Sequence, residues 1–79
     1  MICGVQGGIY AGTISSTWGS YGKISVPYNV DLTITSKFVA NSAHATNLVM
    51  QTASGRSGGD AYMQLTSGSE TISWFAVGH

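Results

Sequence analysis

Thr71-Ile72-Ser73-Trp74-Phe75-Ala76-Val77 is the stretch whose reading decides the fold. Ile72, Trp74 and Ala76 recur with period two, the spacing that brings side chains to one face of a β-strand. Phe75 and Val77 fall on the opposite face, so both sides of this strand need to be dry. In an antiparallel sheet one face commonly packs on the core while the other meets water, and a second apolar face then implies a second packing partner. That partner is either another copy of the chain or a loop of the same chain folded over Phe75 and Val77.

Working outward, the same alternation recurs in short runs bounded by Gly, Ser or Asn. It predicts six strands: Cys3 to Tyr10, Gly22 to Tyr28, Leu32 to Ala40, Thr46 to Thr52, Asp60 to Thr66 and Thr71 to Val77. In the second, Ile24, Val26 and Tyr28 share a face, and Pro27 marks an edge or a strand end because it has no N–H to donate. In the third, Leu32, Ile34 and Phe38 share a face opposite Thr33, Thr35 and Lys37. The segments Ser15 to Tyr21, Asn41 to Ala45, Ser54 to Gly59 and Ser67 to Glu70 read as turns and loops. No window places apolar residues at helical spacing among helix-forming neighbours. The expected architecture is all-β: a six-stranded antiparallel β-sandwich forming a single domain over residues 1–79.

A chain of 79 residues buries only roughly 60% of the surface exposed by its unfolded form, so its own core is a marginal source of stability. Cys3 is the single cysteine, which excludes an internal disulfide, and one thiol cannot supply a structural zinc site. His44 and His79 stand far apart with no carboxylate at ligand spacing, so neither a metal within the chain nor a cofactor is expected. Association is the remaining supplement. Charged residues make up 8% of the chain, against about 25% in an average soluble domain. With a formal net charge of zero, such a surface tends to associate with copies of itself.

The same balance, without a basic stripe, argues against a nucleic-acid partner. The opening 22 residues carry no charge but are broken by glycines at 4, 7, 8 and 12. They have neither the apolar run of a membrane span nor the pattern of a signal peptide, so no membrane insertion is expected.

Val5-Gln6-Gly7-Gly8-Ile9, Lys23-Ile24-Ser25-Val26-Pro27-Tyr28 and above all Ile72-Ser73-Trp74-Phe75-Ala76-Val77-Gly78 resemble the H-type lectin fold, including its relatives at the tips of bacteriophage tail fibres. The resemblance covers nearly the whole chain and is carried chiefly by the terminal aromatic, apolar, alanine and glycine pattern. It implies a parallel homotrimer of six-stranded sandwiches, with saccharide sites in loops near the subunit boundaries. Where the animal lectins of this family place an acidic residue after the Gln-containing opening, this chain has Tyr10, and its loops are short. The animal lectins' acidic sugar contact is therefore not expected here, and the short loops favour the phage-fibre branch. The resemblance thus implies a tail-fibre tip on a virion, attached to a bacterial surface saccharide, with other tail-fibre proteins as possible neighbours. A structural trimer cap without its own ligand and a free-standing bacterial lectin are the alternatives.

Candidate ligand-binding residues follow from chemistry. Trp18 and Tyr21, in a Gly/Ser segment, offer aromatic faces to a sugar ring, or else fold back to cap the core. Arg56 and Asp60 flank Ser57-Gly58-Gly59 and either present a guanidinium fork and a carboxylate to a ligand or pair with each other in solvent. His44 is a loop hydrogen-bond donor, or an ordinary surface histidine. Phe75 and Val77 are the candidate oligomer interface. Catalysis is not expected: Asp31, Asp60 and Glu70 give no recognisable arrangement with a nucleophile and base, and the glycine pairs lack the Lys-Ser/Thr of a phosphate loop.

Overall fold

The alternation resolves into seven strands in the computed structural model of the chain, which describes residues 4–79. They are β1 (Gly4–Thr13), β2 (Ser16–Trp18), β3 (Tyr21–Pro27), β4 (Thr35–Ser42), β5 (Val49–Ser54), β6 (Gly58–Met63) and β7 (Ser69–Gly78). One turn of 3-10 helix, Ala45–Asn47, precedes β5. Cys3, with which the first expected strand begins, lies outside the described residues.

The strands form two antiparallel sheets. One has three strands in the order β1-β7-β4 and the other four in the order β2-β3-β6-β5. The first and last strands pair along their whole length, from Gly4 opposite Gly78 to Thr13 opposite Ser69. Beyond this pairing, β4 takes the far side of β7, making β7 the central strand of its sheet.

The expected count of six is corrected by β2. The segment Ser15 to Tyr21, expected to be a loop, is a hairpin in which Trp18 pairs with Tyr21 across Gly19-Ser20. Gly19 has φ +61°, the left-handed region required at the first central position of a type II′ turn, whose twist suits antiparallel strands. A second correction concerns the third expected strand. Leu32 to Ile34 stands outside β4, held instead by backbone bonds from Leu32 N–H to the Arg56 carbonyl and from Thr33 and Ile34 N–H to the His79 carbonyl. A bulge between Thr35 and Lys37 then shifts the register. Leu32 and Phe38 are buried while Ile34 is exposed, so the three do not share a face.

Ile24, Val26, Ala61 and Met63 from the four-stranded sheet meet Phe38, Ala40, Ile72, Trp74 and Ala76 from the three-stranded one in a single core, with Tyr28 and Leu32 closing it. Three rings occupy its centre: Tyr28 stacks on Trp74 at 5.7 Å between centroids, and Phe38 lies 6.0 Å from Tyr28 and 6.3 Å from Trp74. Gly59 is the point of closest approach: a Cβ there would stand 2.6 Å from the Phe38 ring. The inward faces of β3 and β7 follow the alternation predicted for them.

The outward face of the three-stranded sheet is apolar as well. Val5 (73% exposed), Ile9 (71%) and Phe75 (40%) lie on it, with Val77 and Val39 half-buried. Register places Val5 beside Val77 and Val39 beside Phe75. Among the described residues no loop covers Phe75.

Candidate functional site: an aromatic sheet face

Side chains alternate along β3 and β6, so the residues between the core positions point outward. On β3 these are Tyr21, Lys23, Ser25 and Pro27, and on β6 they are Gly58, Asp60 and Tyr62. The register sets them in rows: Trp18 beside Tyr21, Lys23 beside Tyr62, Ser25 beside Asp60 and Pro27 beside Gly58. Gln51 continues the second row from β5, and Ala53 the third.

The first two rows make an aromatic cluster. The Trp18 indole, 59% exposed, stands 6.3 Å from the Tyr21 ring at a tilt of 38° and 6.1 Å from the Tyr62 ring, which meets it edge-on at 73°. Such offset and edge contacts suit the ring quadrupoles and fix the rings relative to one another. Trp18 therefore does not fold back over the core; the hairpin turned by Gly19 holds it on the outer face.

The third row is polar. Ser25 Oγ donates to Asp60 Oδ1 at 3.0 Å. Asp60 and Arg56 form no ion pair, and Asp60 Oδ2 accepts no hydrogen bond among the described residues. Arg56 instead stands in the β5–β6 hairpin, where its carbonyl accepts from Leu32 N–H at 2.7 Å. Beyond the third row, the edge of β3 runs free of β2, and a groove of about 430 Å³ opens along it, lined by Tyr10, Ser25, Pro27, Ser57 and Asp60 among others.

His44 belongs to a different cluster. Its Nδ1 lies 2.7 Å from Glu70 Oε2, and Glu70 also accepts from the Ser42 hydroxyl, from Asn47 Nδ2 at 3.2 Å and from Thr71 N–H at 3.1 Å. These donors, the Ser42 hydroxyl foremost, hold the Glu70 carboxyl down at about 2 against the upward push of burial. Glu70 is buried and His44 exposed, so the carboxylate anchors the β4–β5 loop to the start of β7.

Of the expected ligand residues, the structure thus joins Trp18, Tyr21 and Asp60 on one face. It places Arg56 beyond the end of that face and His44 with Glu70. Phe75 and Val77 lie on the outward face of the opposite sheet. Sequence reasoning missed Tyr62, Lys23 and Ser25. Their outward phase on β3 and β6 was legible from alternation, but the β3–β6 pairing that makes them neighbours was not. It also missed Glu70 as the partner of His44, 26 residues away in the chain. Among the described residues no group of three or more His, Cys, Asp or Glu is arranged to hold a metal ion. Comparison of the chain with protein-family models, with curated proteins and with solved structures returns no match.

Proposed function

We propose that this protein is a non-catalytic carbohydrate-binding module that works as a self-associated head, in the manner of a tail-fibre tip attaching to bacterial surface glycan. The observation that carries this reading is the exposed Trp18, Tyr21 and Tyr62 cluster with Lys23, Ser25 and Asp60 in the adjoining positions. Aromatic faces accept the apolar faces of pyranose rings, and a few convergent polar groups beside them fix orientation through hydroxyls.

Self-association is supported by the second apolar surface, where Val5, Ile9 and Phe75 stand in solvent on a chain with few charges to keep copies apart. In this reading the two sheets form a sandwich whose one outer face meets neighbouring copies, as a homotrimer, while the other faces the ligand. Several weak sites on one rigid head raise avidity by orders of magnitude without a new contact. The same apolar surface also favours a second reading, a trimer cap that closes a fibre without binding any ligand of its own.

Glycan-array and bacterial-cell binding by the wild type and by Trp18→Ala separates the two. The module predicts saccharide binding that Trp18→Ala reduces by about tenfold or more, the loss of one well-packed aromatic contact of roughly 1.4 kcal/mol or greater. A protein that self-associates yet binds no saccharide and no bacterium is the cap.

A further inference from the structure

We propose that the outer face of the four-stranded sheet binds an internal run of about four sugar rings in a linear glycan, laid along β3, and not a single terminal sugar. The inference rests on the carbohydrate reading above and specifies its ligand. Its basis is the continuity of the surface. The rows Trp18–Tyr21, Lys23–Tyr62, Ser25–Asp60 and Pro27–Gly58 follow one another along β3 without interruption. At the Ser25 and Pro27 rows the surface turns over the free edge of β3 into a groove lined by Ser25, Pro27, Ser57 and Asp60 on one side and by Tyr10 of the opposite sheet on the other. Six residue steps from Tyr21 to Pro27 span about 20 Å at the rise of a β-strand, which is about the length of four pyranose rings joined end to end. A terminal monosaccharide would contact only one of these rows.

Chemistry along the track selects hydroxyl-bearing rings. Two of the rows present aromatic surface, while the third ends in Asp60 Oδ2, an acceptor without a donor among the described residues. A sugar hydroxyl supplies that donor. A proline-rich helix would also suit the aromatic rings, but its backbone has no N–H to offer Asp60, whereas a sugar ring brings several hydroxyl donors. One ammonium, Lys23, and one carboxylate, Asp60, leave the track without net charge, and a polyanionic strand gains little there.

The test is affinity against chain length. Fragments of one to eight rings, released from bacterial O-chain, capsular and peptidoglycan glycans and separated by size, are titrated against the full chain by calorimetry, with decaproline as the peptide comparator. The expected result is an affinity that rises at least 100-fold from one ring to four and is level beyond four. Trp18→Ala lowers it at every length. Asp60→Asn, in the groove-side row, lowers it for four rings but leaves two-ring fragments within a factor of two. Equal affinity for one ring and for longer fragments overturns the extended track while leaving a carbohydrate module in place. No binding by any fragment, or binding of decaproline alone, overturns the carbohydrate reading and the track with it. Circular dichroism of each variant confirms the fold, and Lys23→Gln, a change at an outward position, gives a second probe of the aromatic end.

Discussion

Gly59→Ala is the sharpest test of how the two sheets meet. Gly59 sits on the inward side of β6, and an added Cβ would stand 2.6 Å from Cε2 and Cζ of Phe38 and 2.7 Å from Cδ1. Carbon atoms in ordinary contact rest about 3.5 to 4.0 Å apart, so ring and backbone must separate by about 1 Å. The Phe38 ring has little freedom to yield, being buried beside the stacked Tyr28 and Trp74 rings. Overpacking of this kind costs about 1 to 3 kcal/mol. The lost freedom of the unfolded chain returns about 0.4 to 1 kcal/mol, because the backbone at Gly59 does not need a positive φ. The two combine to a net destabilisation of about 0 to 2.6 kcal/mol, with a centre near 1.3 kcal/mol that lowers Tm by roughly 5 to 10 °C for a chain of this size.

Urea denaturation of Gly59→Ala, Phe38→Leu and the double variant measures the coupling directly. If Phe38 presses on Gly59 across the core, the double variant is more stable than the sum of the single changes predicts by about 1 kcal/mol. Additive single effects would refute the face-to-face packing of β4 on β6.

The remaining predictions test other parts of the structure. Glu70 has its carboxyl lowered from an ordinary 4.5 to about 2, so its contribution to stability is complete above 4.5 and is lost as pH falls toward 2. Glu70→Gln should therefore lower the urea midpoint at neutral pH and flatten its decline across that acid window, as read by fluorescence of the buried Trp74. Phe75→Lys together with Ile9→Lys puts two cations on the apolar outward face and should shift light-scattering mass toward a single chain; an unchanged mass would exclude this face as the contact. Gly19→Val forces a β-branched residue to a φ of +61°, and should cost about 1 to 3 kcal/mol while lowering ligand affinity through displacement of Trp18.

Several features were legible in the sequence because they depend only on period-two geometry. The buried face that runs from β3 into Tyr28, Ile24-Val26-Tyr28, and that of β7, Ile72-Trp74-Ala76, are such features, as is the apolar excess at Phe75 and Val77. The β2–β3 hairpin also has a local signal, a Gly-Ser pair between Trp18 and Tyr21, but the Gly/Ser-rich composition around it is equally that of a loop. The extended chain at Leu32 to Ile34 had none. Its place is set by hydrogen bonds to His79 and Arg56, both more than twenty residues away.

By itself, then, the sequence determined that this chain is all-β, antiparallel in style, sparse in charge and apolar on both sides of its last strand. Each of these follows from residue type and from alternation along a single segment. It takes the assembled fold to put β7 between β1 and β4, to join Tyr62 to Trp18 and Tyr21, to pair Asp60 with Ser25 instead of Arg56, and to tie His44 to Glu70. Strand order and register are settled by which faces pack best once all strands are present. That is a property of the whole core, and no single strand carries it in its own alternation.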